Sequence, residues 1–242
     1  MGINKNVKAR FEKKVFYHDD VELPYMIYLP KNYNENKKYP VLFFLHGDGL
    51  NNRSLDDLID CLEAITIKRA VIEYEKVIIV APIAKQSWVL NINDANLIRP
   101  RKSYLINELN QSKYLIAADN LLNNICQNYA VDESRIYLNG YSRGCMASFY
   151  LLNKYPNRFK ACSLCCGASP RDINHILKEI PIMFFHGDQD ELVSYQDNKD
   201  LFAEINRLGG KCVFVTGKNQ GHGLEKALLD QEDLISWLFN NK

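Results

Sequence analysis

No run of 18 or more apolar residues occurs in the 242-residue chain, which excludes a membrane-spanning helix. The opening residues, MGINKNVKARFEKKVF, carry charge but neither an apolar core nor a small-residue cleavage site, so no export signal is expected. An excess of one charge sign is also missing. Lys plus Arg number 30 against 29 Asp plus Glu, giving a net charge of +1. The signs are mixed along the chain, so there is no basic stripe to suggest nucleic acid and no acidic solvating tail. Internal repeats and low-complexity tracts are absent as well. Metal-ligand spacing is not found either. Seven cysteines are present, and Cys162, Cys165 and Cys166 crowd into ACSLCCG, but no second Cys or His pair completes a zinc pattern. That apolar run reads as a buried strand carrying reduced thiols, which favours a reducing, cytoplasmic setting without a metal or organic cofactor.

What remains is the composition of a soluble globular enzyme, 47% apolar and 24% charged, at a length that α/β folds commonly fill as one domain over residues 1–242. Short apolar runs alternate with helix-period stretches. The runs are Val41–Leu45, Val77–Ala81, Arg135–Asn139, Ala161–Cys166, Ile182–Phe185 and Cys212–Thr216. They are rich in β-branched and aromatic residues without polar alternation, as strands buried on both faces of a parallel sheet are. Lys14–His18 and Leu23–Leu29 alternate more and are expected to pair antiparallel at one edge. Leu115, Ala118, Leu122, Ile125 and Tyr129 share a helical face, as do Leu224, Leu228, Ile235 and Leu238. Ser54 and Ser194, each three residues before an aspartate, read as helix caps. The alternation implies right-handed crossovers and a doubly wound sheet of about eight strands, with its ligand beyond the carboxyl ends of the strands. Residues 83–111 lack a clear apolar period and are expected to form an elaborated loop or small cap over that cleft.

The strand ends carry the chemistry. Gly140-Tyr141-Ser142-Arg143-Gly144 stands between a strand and an apolar helix, where a strained turn exposes a serine hydroxyl. His46-Gly47-Asp48-Gly49 follows another strand and can aim backbone N–H groups at a developing oxyanion. Arg143 is expected to supply one donor and Asp48 or Gly49 the other. His46 itself reads as a buried brace rather than a base. His186-Gly187-Asp188-Gln189-Asp190 offers two candidate acids, and Gly221-His222-Gly223 offers a histidine before the last helix. The order Ser, Asp, His suits nucleophilic catalysis on this kind of sheet. His18 and His175 lie away from these ends.

These motifs resemble the α/β-hydrolase superfamily, and within it the esterase group of feruloyl esterases, polyhydroxybutyrate depolymerase-like proteins and predicted peptidases. The likeness runs from about residue 23 onward. It includes Tyr28-Leu29-Pro30, Tyr39-Pro40, HGDG, Ala81-Pro82, Asp132–Tyr137, GYSRG, Tyr155–Ala161, HGDQDELV and GHG. The resemblance implies Ser142 as nucleophile, His222 as base and Asp190, rather than Asp188, as the orienting acid. It implies carboxylic ester hydrolysis of a small molecule. A peptidase or thioesterase using the same triad is the alternative, and a non-catalytic binding protein on the same fold is more remote. Two departures stand out. Arg143-Gly144-Cys145 replaces the Met or Gln and two glycines common in the group, and residues 83–111 match no pattern. Within that stretch, Trp88 is a candidate substrate-pocket wall, with a structural anchor of the loop as the other reading, and Tyr141 beside Ser142 is a second candidate substrate-binding residue. Arg99, Arg101 and Lys102 form a basic cluster read as solvated surface, with carboxylate binding as the other reading.

Overall fold

The computed structural model describes residues 5–91 and 99–240. The apolar runs become strands. These are β1 (Glu12–His18), β2 (Val21–Tyr28), β3 (Tyr39–Leu45), β4 (Ile78–Pro82), β5 (Val89–Asn91), β6 (Leu109–Gln111), β7 (Val131–Tyr141), β8 (Ala161–Cys165), β9 (Ile182–Gly187) and β10 (Cys212–Gly217). Every residue of β3, β4, β8 and β9 is buried, which is why none of the four alternates in sequence.

Eight strands form one sheet in the order β1-β2-β4-β3-β7-β8-β9-β10. β1 pairs antiparallel with β2 and β2 with β4, while every pairing from β4 to β10 is parallel. The chain winds outward from β3 to β4, then returns to β7 on the other side of β3. That reversal opens a crevice at the carboxyl ends of β3 and β7, where a doubly wound sheet receives its ligand. Helices cover both faces. Helices 113–128, 143–154 and 195–207 bury residues such as Leu115, Phe149 and Phe202 on one side. Helices 55–60, 65–73, 225–230 and 234–240 bury Leu58, Ile67, Leu228 and Leu238 on the other.

Ser54 and Ser194 cap as their spacing predicts, each hydroxyl accepting from the backbone N–H of the aspartate three residues on. Two expectations need correction. The face running from Leu224 to Leu238 belongs to two helices rather than one. The Arg69 guanidinium donates to the carbonyls of Leu228, Gln231 and Glu232 and so holds the break between them. Residues 83–111 also contain more regular structure than their sequence suggests. β5 and β6 form a two-stranded antiparallel ribbon, and Ser112 N–H donates to the Trp88 carbonyl at 2.9 Å. Further on, Arg101 bridges to Val193 and Tyr104 to Pro170. Of the apolar residues in this stretch, Tyr104 is buried and Leu90 is exposed, while Ile92, Leu97 and Ile98 lie outside the described residues.

Candidate active site

Ser142 occupies the junction of β7 and helix 143–154, at φ 52° and ψ −114°, a conformation that a residue with a side chain adopts only under constraint. The flanking glycines explain how the constraint is met. A Cβ on Gly144 would run into the Leu45 carbonyl, and one on Gly140 would run into Ser148 Oγ. The helix can therefore cross β3 closely enough to lift the serine hydroxyl into the crevice.

His222, on the loop after β10, meets that hydroxyl. Its Nε2 lies 2.8 Å from Ser142 Oγ, and its Nδ1 lies 2.8 Å from Asp190 Oδ2. Asp190, not Asp188, faces the imidazole. Asp188 instead accepts the Asn219 N–H at 2.8 Å and ties down the turn before His222. Asp190 is over-determined. Its Oδ1 accepts from Leu192 N–H and Val193 N–H, and its Oδ2 also takes a bond from His186 Nε2 at 3.0 Å. His186 can donate there because its Nδ1 accepts from Asn198 Nδ2, 2.8 Å away. Burial opposes the charge on Asp190, yet the bonds from His186 and His222, the His222 charge and Val193 N–H hold its carboxyl well below the usual range. Burial likewise opposes protonation of His222, and Cys166 and Asp190 raise it; the net shift is upward. The Cys166 thiol is itself pushed up to about 12 by burial, so Asp190 is the partner that carries the negative charge.

The turn after β3 completes the cleft. Asp48 opens a 3₁₀ turn over Asp48–Leu50 and Arg143 opens helix 143–154, so each presents an N–H with no partner within its own helix. Asp48, Gly49 and Arg143 line one cleft of about 300 Å³ together with Ser142 and His222. Arg143 Nε lies 3.3 Å from Asp48 Oδ2, so an ion pair joins the two segments that offer these donors. His46 is fully buried beneath the turn. Its Nε2 accepts from Ala84 N–H and its Nδ1 lies 2.7 Å from the Gly47 carbonyl, while burial pushes its pKa down to about 4. It braces and does not titrate near neutrality.

Two candidate substrate residues are corrected. Trp88 is fully buried and absent from the cleft lining; its Nε1 donates to the His46 carbonyl at 2.9 Å, with the two rings 4.9 Å apart. Its place is under the turn after β3, because the ribbon of β5 and β6 folds it inward. Tyr141 is buried too. Its hydroxyl donates to the His222 carbonyl at 2.6 Å and accepts from Leu224 N–H, so it shapes the histidine loop rather than touching substrate. Of the basic cluster, Lys102 pairs with Asp197, whereas Arg99 and Arg101 line the cleft and are not merely solvated surface. Sequence reasoning missed the supporting pair His186 and Asn198, and it missed Glu63, whose Oε2 accepts the Gly47 N–H at 2.6 Å at the cleft wall. His186 was visible in HGDQD; nothing around Glu63 signals its position.

Residues 20–232 match the family described as "Putative esterase". A bifunctional acetylxylan esterase/xylanase of Neocallimastix patriciarum is 26% identical over 76 residues, 31% of this chain and 11% of that protein. The acyl-protein thioesterase 1 homolog 1 of Dictyostelium discoideum is 26% identical over 120 residues, covering 48% of this chain and 52% of its own length. The chain thus spans about a tenth and about half of these relatives. Among solved structures, a thermostable esterase superposes with a TM-score of 0.78 at 23% identity, over 96% of this chain and 63% of that one, and so shares the fold.

Proposed function

This chain belongs to that esterase family, and from that premise we propose that it is a serine hydrolase of carboxylic esters with Ser142 as nucleophile, His222 as base and Asp190 as the orienting acid. The observation that carries the reading is the unbroken hydrogen-bond chain from Ser142 Oγ through His222 to Asp190. Ser142 Oγ attacks the ester carbonyl while His222 Nε2 takes its proton. Asp190 fixes the imidazole with its proton on Nδ1 and stabilises the imidazolium that results. The N–H groups of Arg143 and of Asp48 or Gly49 receive the oxyanion; a single such donor is worth about 3–4 kcal/mol in comparable sites. His222 then protonates the leaving oxygen, and water repeats the cycle on the acyl-enzyme. Met146, Ala168, Leu192 and Val193 give the cleft apolar surface for the acyl half. The partner is a small-molecule ester, and the seven free thiols support a reducing, cytoplasmic setting. A thioester is the second reading, favoured by the likeness to the acyl-protein thioesterase homolog.

A fluorophosphonate probe should label the protein on Ser142, and Ser142→Ala should abolish both labelling and hydrolysis of short-chain p-nitrophenyl esters. Adduct mass spectrometry that finds the label on another residue overturns the assignment. Parallel assays on oxygen esters and thioesters of one acyl group separate the two readings.

A further inference from the structure

Glu63 is not used by the triad, yet its carboxyl group stands at the reacting centre. It comes from the 3₁₀ turn Leu62–Ala64 on the face of the sheet that carries helix 65–73. A Cβ on Gly47 would lie 3.0 Å from Glu63 Oε1 and 3.1 Å from Ser142 Cβ, so carboxyl and nucleophile flank one point on the cleft wall. Its two oxygens have different surroundings. Oε2 accepts the Gly47 N–H at 2.6 Å. Oε1 has no hydrogen-bond donor among the described residues, and Glu63 lines the cleft. No Lys or Arg among the described residues pairs with Glu63. Burial, with Asp48 nearby, pushes its carboxyl up to about 7, while the Gly47 N–H and the His222 charge pull it down. Glu63 is half-buried, and the oxygen that meets no protein donor opens on the cleft. In this cleft the donor has to come from solvent or from the substrate.

Which half of the substrate meets it follows from the neighbours. Leu62 Cδ2 comes within 3.9 Å of where a Cβ on Gly223 would stand, and His222 is the nearest titratable cation. Glu63 is therefore on the histidine side of Ser142. His222 must hand its proton to the leaving oxygen, so the alcohol half of an ester lies along that side.

Building on the ester-hydrolase reading above, we infer that Glu63 determines specificity for the alcohol half. Its Oε2 holds the turn that presents the Asp48 and Gly49 N–H groups, and its Oε1 accepts a hydrogen bond from a hydroxyl close to the ester oxygen. The preferred substrates are then mono-acylated polyols, sugar esters among them, rather than esters of plain alkyl alcohols. A site that hydrogen-bonds a substrate hydroxyl discriminates against the analogue lacking it, because the acceptor then loses that bond.

The test compares glycerol 1-monoacetate with propyl acetate, which share the acyl group and the three-carbon alcohol. The wild-type protein should favour the glycerol ester in kcat/KM by at least about tenfold, the ratio that about 1.4 kcal/mol of hydrogen bonding produces. Glu63→Gln keeps an acceptor for the Gly47 N–H but removes the charge-assisted bond to the hydroxyl. It should lower kcat/KM for the glycerol ester more than for propyl acetate and so reduce the preference several-fold. Glu63→Met loses both contacts and should lower kcat on both esters while erasing the preference. Equal kcat/KM for the two esters in the wild type, or an unaltered ratio in Glu63→Gln, overturns the inference. A protein that takes the fluorophosphonate label but hydrolyses neither ester also overturns it, with the nucleophile assignment intact. A protein that shows no hydrolysis and takes no label overturns the ester-hydrolase reading itself, and this inference with it.

Discussion

Two histidines follow two strands of the same sheet, and their environments have made them opposites. His46, after β3, is fully buried and meets only backbone groups and an indole, so burial pushes its pKa down to about 4 and it stays neutral. His222, after β10, is partly open and shares Asp190 with His186, so its basicity is raised despite burial. The same imidazole stays neutral where its partners are amides and carbonyls and becomes more basic where its partner is a carboxylate. What separates them is not proximity to Ser142 but the nature of the second hydrogen bond.

The largest expected effect attacks that contrast directly. His222→Ala should lower kcat by about 10⁵–10⁶ in steady-state ester hydrolysis while leaving the thermal midpoint close to wild type. Removing the carboxylate that the proposed base His222 contacts comes next. Asp190→Asn should cost about 10⁴ in kcat, and Asp188→Asn, which touches only the Asn219 turn, far less. If the ranking of the two aspartates were reversed, the difference between the histidines would need another cause.

The brace should respond in stability instead. His46→Leu strands the Ala84 N–H in the interior and should destabilise the fold by about 1–3 kcal/mol in urea titrations, while kcat per folded molecule changes far less than in His222→Ala. The contrast also has a pH signature. Because the folded state holds His46 near 4, below its unfolded value of 6.5, the unfolded chain binds the extra proton first as pH falls. The stabilising effect of a neutral His46 is complete above pH 6.5 and is lost progressively from there towards pH 4. That decline should be shallower in His46→Leu. The smallest effect is at the indole. Trp88→Phe removes the bond to the His46 carbonyl and should cost about 1 kcal/mol of stability, with equal activity changes on acetate and aryl esters. Selective loss on aryl esters would return Trp88 to the pocket wall.

The sheet was legible in the sequence because its strands are buried on both faces, and unbroken apolar runs such as Val41–Leu45 and Ile182–Phe185 have few other uses. The meeting of Ser142 and His222 was legible because strand ends, glycines and chain order coincide there. Choosing Asp190 over Asp188 required the family likeness, since both aspartates follow β9 and only backbone geometry decides which faces His222. Trp88 and Tyr141 were misread for a shared reason. An aromatic residue beside an active-site motif looks the same in sequence whether it turns toward the cleft or beneath it, and here hydrogen bonds from Nε1 and Oη turn both beneath. Glu63 had no local signal, because its partner Gly47 is 16 residues away in another element.

The strand order has a consequence for how activity is acquired. Ser142 and His222 are 80 residues apart, and the loops that meet at the cleft hang from β3, β7, β9 and β10, joined only through parallel crossovers. No short run of consecutive elements contains the whole site. Parallel pairing closes long loops before contacts compensate for the lost chain entropy, so it is slow to complete. On dilution from denaturant, helical signal should therefore return early and the proposed hydrolysis last, with the docking of β10 as the step that completes the site.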